Sequence, residues 1–198
     1  MLTSLITANT TLDVNYTTTV GGEALNRPMS DTEICGIIFD GFLGGTDITA
    51  NTISFIVYYL AHYPDVKKKM MEEIDRTFQG DKTGPITEDD YQKLKYCEAV
   101  IKVVSRLFTV VPSIVKGTAK PDEIAGYIEG SESKKLSFLM FGGGLRICPG
   151  RKIAMIELVC LLYRKYEIDL VDMNAPLNVE SIGITACNEL LVKIKPRN

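Results

Sequence analysis

Apolar residues along this chain follow two rhythms, and the change between them marks its elements. In ICGIIFDGFLGGTDITANTISFIVYYLAHY, from Ile34 to Tyr63, apolar positions recur with no proline to interrupt them. One long central helix is expected over 30–62. Ser30 and Glu33 in SDTE have the spacing of a capping box at its start. Pro64 stops that helix and, standing before an acid, opens the next, PDVKKKMMEEIDRTF. The basic run at 67–69 and the acidic pair at 72–73 read as a solvated face with i,i+4 pairs. Gly80 to Pro85 form a loop, and Thr87 caps a short acidic turn. Leu94, Cys97, Val100, Ile101, Val104, Leu107 and Phe108 then return at helical spacing, predicting a helix over 92–111 that Pro112 ends.

Beyond Pro112 the runs shorten. SIVKGTA and EIAGYIE, separated by KPD, predict a hairpin, and SIGITAC with LLVKIKPR, flanking Asn188 and Glu189, predict a closing one. Between them lie the glycine-rich loop FGGGLRICPG, 141–150, and RKIAMIELVCLLYRKYEIDL, 151–170, read as a largely buried helix. Residues 1–29 are threonine-rich and read as an irregular lead-in. There is no internal repeat. The fold class is mainly α with a small β component.

Composition narrows the function classes. With 198 residues, 45% hydrophobic and 24% charged, the chain suits one domain or part of a larger one. A net charge of −3 gives no basic field, so no nucleic-acid partner is expected. The single histidine, His62, reads as a helix-terminus residue, not as a catalytic or metal-binding one. Five cysteines, an odd number without a C-x-x-C pair, suggest neither a disulfide framework nor zinc. Cys35, Cys97, Cys160 and Cys187 sit among apolar residues and read as buried thiols; Cys148 alone is framed by glycines. No apolar run reaches the roughly 18 residues of a membrane span, and no positive charge precedes Arg27, so no ordinary signal peptide is expected.

Gly142 to Gly144 let backbone turn where other residues cannot and approach a flat ligand closely. Cys148 precedes a proline and then a helix start, whose positive end favours a thiolate. A thiolate held this way is a good axial ligand for iron, and Arg146 could pair with a carboxylate. Phe141, Gly144, Arg146, Cys148 and Gly150 complete F-x-x-G-x-R-x-C-x-G. This resembles the heme-ligating signature of the cytochrome P450 family. The resemblance implies heme b (iron protoporphyrin IX), its iron bound by the Cys148 thiolate and a propionate paired with Arg146.

The stretch GGTDITANT resembles the same family's central helix, where an acid precedes two hydroxyl residues. Asp47 matches the acid and Thr49 the second hydroxyl, which makes both candidate catalytic residues. Ile48 stands where the family usually has the threonine that helps deliver protons to oxygen, and it cannot hydrogen-bond. Thr49 lies about 100° further round the helix. In EAVIKVVSRLF the family's Glu-x-x-Arg pair is incomplete, with Val103 ahead of Arg106. If Arg106 is buried, its lost partner costs about 3–5 kcal/mol. Lys116 falls where the family often places a base for a propionate. Only thirteen residues, Ile128 to Met140, separate Tyr127 from Phe141, so the family's intervening strand, helix and meander are missing.

The resemblance covers nearly all of 1–198 and implies the C-terminal part of the cytochrome P450 fold. It implies a monooxygenase that places one atom of O2 in a small organic substrate, with electrons from an NADPH-dependent reductase. Arg151, Lys152, Arg164 and Lys165 are candidates to face that reductase. Full-length members are expected on the cytoplasmic face of the endoplasmic reticulum membrane; no anchor is found here, which makes the cytoplasm the alternative. A catalytically inactive heme-binding remnant and a cofactor-free helical interaction module are the other function classes.

Overall fold

The expected capping box closes as its spacing requires. In a computed structural model of the chain, the Ser30 N–H donates to Glu33 Oε2 at 2.7 Å, and the Glu33 N–H donates to Ser30 Oγ at 3.3 Å. The structure describes residues 18–20, 23–25, 29–79, 81, 83–113, 139–144, 147–158 and 162–197. The chain divides into two compact units, Met1–Thr46 and Asp47–Asn198. Helix α1 (Asp31–His62) has residues in both.

In the first unit, strands β1 (Thr18–Val20) and β2 (Glu23–Leu25) pair antiparallel, with Thr19 opposite Ala24. The irregular lead-in expected over 1–29 therefore contains a short hairpin. Its β-branched Thr18, Thr19 and Val20 favour extended backbone. The first half of α1 leaves Phe39, Phe42 and Leu43 exposed.

The second unit holds the core. From Thr52 onward α1 turns inward, burying Phe55, Ile56, Val57 and Leu60. Helix α2 (Pro64–Phe78) lays Met70, Ile74 and Phe78 on that core, and Gln79 ends it in a left-handed turn at φ 50°. Helix α3 (Glu88–Lys93) is capped by Thr87, whose side chain accepts from the Asp90 N–H, and Asp90 caps in return. Helix α4 (Lys95–Leu107) adds Cys97, Val100, Ile101 and Val104 to the core. Phe55 and Phe108 meet with ring centroids 4.6 Å apart.

Several expectations need correction. The helix expected over 92–111 is two helices with a break at Leu94, and Leu107 is exposed. The acidic pair is not all solvated. Glu73 is buried, and its two carboxylate oxygens accept from the Tyr96 and Cys97 N–H groups at 2.9 and 2.8 Å, capping α4 from the neighbouring helix. Lys67, in the basic run, reaches the Ile168 carbonyl and Asp169 Oδ1, both at 2.7 Å. The thiol of Cys97 is buried as expected, but Cys35 is exposed and Cys187 is half-buried.

The C-terminal third departs furthest. The helix expected over 151–170 does not reach its end: α5 (Arg151–Ile156) and α6 (Leu162–Lys165) lie within it, residues 159–161 are outside the described ones, and Tyr166–Leu170 form strand β3. Ile168 and Leu170 alternate inward on β3, a strand period that the apolar run upstream disguised. The closing hairpin is also paired differently. Strand β4 (Asn178–Ile182) pairs with β5 (Ile184–Glu189) around Gly183, which lies at φ 80°. Strand β6 (Val192–Pro196) pairs with β3, not β5. SIGITAC therefore contains a turn, because its glycine adopts a backbone shape closed to most side chains. The hairpin expected from SIVKGTA and EIAGYIE lies outside the described residues.

Candidate active site

The cysteine loop is built from short-range backbone hydrogen bonds. The Gly142 N–H donates to the Leu139 carbonyl at 3.0 Å, and the Ile147 N–H donates to the Gly144 carbonyl at 3.2 Å. The Cys148 N–H returns to the Phe141 carbonyl at 2.9 Å, so the first and eighth motif positions are tied together. Gly142 and Gly144 lie at φ 74° and 69°, which is why glycine is needed there. Among the described residues, its chain neighbours aside, no atom lies within 4 Å of where a Cβ on Gly144 would stand.

Helix α5 starts directly after the loop, with the Ala154 N–H donating to the Gly150 carbonyl at 2.9 Å. Cys148 is exposed, and a Cβ on Gly150 would stand 3.8 Å from its sulfur. Phe141 packs partly buried against the core, and Met155 of α5 is buried. Phe141, Gly144, Cys148 and Gly150 thus share one structured turn. Arg146 and Lys116 lie outside the described residues.

The two candidate catalytic residues, Asp47 and Thr49, lie on α1. Asp47 is exposed, and its carbonyl accepts from Asn51 Nδ2 at 2.8 Å. Thr49 is half-buried, and among the described residues no hydrogen bond joins it or Asp47 to the cysteine loop. Ile48 is half-buried against the core, and its carbonyl accepts from Thr52 Oγ1 at 2.7 Å.

Arg106 is exposed near the end of α4, where a cation suits the helix dipole, and Val103 is also exposed. The penalty for a buried, unpaired arginine does not arise. Two of the four basic residues expected to face a reductase are committed elsewhere. Arg164 is 4% exposed; it donates to the Asp81 and Gly84 carbonyls at 2.7 and 2.9 Å and lies 4.1 Å over the Phe78 ring. Lys152 pairs with Glu88 at 2.6 Å, though both side chains are exposed. Nothing local in the sequence marks the roles of Glu73 and Arg164, since their partners lie far along the chain.

A cleft of about 430 Å³ lies beside the loop, lined by Tyr91, Lys102, Phe141, Ile147 and Met155 among others. Cys148 does not line it. The donor at the loop itself is a single soft sulfur, that of Cys148. Among the described residues no group of three or more His, Cys, Asp or Glu could hold a metal ion. One sulfur donor on a glycine-opened turn fits an iron whose other ligands come from a macrocycle, not from the protein.

Comparisons with known proteins identify the family. The cytochrome P450 family profile matches residues 7–128. The chain belongs to the cytochrome P450 family. It is similar to human cytochrome P450 4V2, 29% identical over 217 residues, covering 89% of this chain and 40% of that protein. It is similar to bovine (Bos taurus) steroid 21-hydroxylase, 30% identical over 160 residues, covering 64% of this chain and 32% of that protein. Cytochrome P450 CYP13A3 of Caenorhabditis elegans is 28% identical over 216 residues, covering 88% of this chain. The chain spans 41% of that relative's length.

Since 88% of a 198-residue chain is matched over 216 positions, the nematode protein fills several tens of positions that this chain lacks within the shared span. Among solved structures, a cytochrome P450 (CYP102L1) superposes with a TM-score of 0.67 at 21% identity, over 87% of this chain and 48% of that one. That likeness shows the fold. Among the described residues no helix is long and apolar enough to cross a membrane.

Proposed function

We propose that this chain carries the heme-thiolate centre of a cytochrome P450 monooxygenase, with Cys148 as the axial ligand of heme b. The observation that carries the reading is the complete five-position motif, whose described members fold into one turn with the Cys148 thiol exposed at its end. Gly142 and Gly144 permit backbone to approach a flat ring, and Phe141 ties the turn to the core. Arg146 supplies a guanidinium for a propionate. When bound, the heme supplies the one-electron and O2 chemistry.

The remaining work falls to α1. Asp47 and Thr49 hold and relay protons, whereas Ile48 offers no hydroxyl between them. The reaction places one atom of O2 in a small organic substrate, with electrons from an NADPH-dependent reductase that Arg151 and Lys165 remain available to meet. The family reading places the parent protein on the cytoplasmic face of the endoplasmic reticulum membrane.

The test is to supply the purified chain with heme, reductase, NADPH, a test substrate and isotopically labelled O2. Product carrying one labelled oxygen atom supports the reading, and product whose new oxygen is unlabelled, taken from water, contradicts it. A second reading, a heme-binding remnant without catalysis, is favoured by Ile48. Heme uptake with no oxygenated product under the same conditions selects it.

A further inference from the structure

The outer edge of β5 is closed by two groups that do not belong to a strand. In an antiparallel pair, alternate N–H groups point away from the partner. On β5 two of these are Thr185 and Cys187, opposite Ser181 and Val179. The Thr185 N–H donates to the Val110 carbonyl at 2.7 Å, just past the end of α4. The Cys187 N–H donates to Asn51 Oδ1, also at 2.7 Å. The same Asn51 side chain donates through Nδ2 to the Asp47 carbonyl at 2.8 Å.

Both halves of one carboxamide are thus used, one on the helix turn that carries Asp47 and one on the hairpin. Asparagine is a poor residue for a helix interior, because its side chain competes for backbone groups. Its presence here has a reason in this bridge. No other uncharged side chain of that length both donates and accepts through separate atoms.

We propose that Asn51 is a positioning residue, fixing the β4–β5 hairpin to the turn of α1 that bears Asp47 and Thr49. The inference rests on the reading of Asp47 and Thr49 as proton-handling residues for its functional half only. Hydrogen exchange of the Cys187 amide tests the bridge without any activity. The full chain is compared with Asn51→Ala and Asn51→Asp, using the Arg197 amide, which bonds the Lys165 carbonyl just beyond the paired ends of β3 and β6, as a control for general loosening.

Relative to Arg197, Cys187 exchange is expected to rise about tenfold in Asn51→Ala, the loss of one hydrogen bond. It should return close to the unaltered rate in Asn51→Asp, which keeps the acceptor. Equal relative exchange in all three chains overturns the bridge. So does an aspartate variant that behaves like the alanine one.

The functional half is read from peroxide released per NADPH consumed. Asn51→Ala should raise that ratio at unchanged heme content, and Asn51→Asp, which cannot donate to the Asp47 carbonyl, should raise it too. An unchanged ratio in both variants overturns the positioning role while leaving the bridge intact. A chain that takes up no heme contradicts the heme-thiolate reading itself and, with it, the functional half; the exchange result still decides the bridge.

Discussion

Ile48 is half-buried against the core and can neither donate nor accept a hydrogen bond. A general acid positioned at such a place typically contributes about 10²–10⁴-fold, so the unaltered chain should lose much of its reducing power as peroxide. Ile48→Thr keeps the β-branch and adds a hydroxyl. It is expected to lower peroxide released per NADPH consumed, measured in a reconstituted system; tight coupling in the unaltered chain contradicts this account. Val103 raises a different question. The sequence left open whether Arg106 is buried without a partner or reaches solvent, and both it and Val103 are exposed. Val103→Glu then creates only a surface pair one turn apart, so its effect on the denaturation free energy should stay within about 0.5 kcal/mol. A gain above about 2 kcal/mol, measured in urea, shows that Arg106 is desolvated after all.

At the scale of elements, the helices were legible where a local signal set their ends. Ser30 with Glu33, Pro64, and Thr87 all act where their side chains predict. The failures came where the signal is not local. Glu73 looked like half of a solvated acidic pair, yet it is 6% exposed and caps α4 from α2. Glu73→Leu leaves two N–H groups at the start of α4 without this acceptor, and about 2–3 kcal/mol of stability should be lost, read as a lowered denaturant midpoint. An unchanged midpoint means that the cap is dispensable.

The capping box of α3 carries its own pH dependence. Hydrogen bonds from the Thr87 hydroxyl and N–H hold the Asp90 carboxyl below its usual range. Its contribution is therefore complete above the ordinary carboxylate pKa of about 4 and fades as pH falls through the lower folded value. Asp90→Asn should flatten the fall of the thermal midpoint below about pH 4 and leave its slope at neutral pH unchanged. An acid slope equal to that of the unaltered chain contradicts this role.

For the whole molecule, what could be read ahead of the structure follows the range of the interactions. The mainly helical class came from periodicity, and the cysteine loop from five fixed residue types in ten positions. The partition into β3–β6 and β4–β5 could not be read, because it turns on one glycine, Gly183, and on partners far apart in sequence. The loop's geometry was legible for a related reason: its hydrogen bonds close within 139–154. Asn51, whose acceptor role lies on Cys187, carried no comparable signal.

The central claim is that Cys148 is the ligand of the heme iron, and one spectrum tests it most directly. The unaltered chain, Cys148→Ala and Cys187→Ala are each supplied with heme, reduced and exposed to carbon monoxide. Cys187 is the fair comparison, since its thiol is half-buried and burial pushes its pKa up, which disfavours the thiolate. The account predicts a thiolate-type spectrum in the unaltered chain and in Cys187→Ala, and its loss in Cys148→Ala alone. A thiolate-type spectrum that survives Cys148→Ala contradicts it.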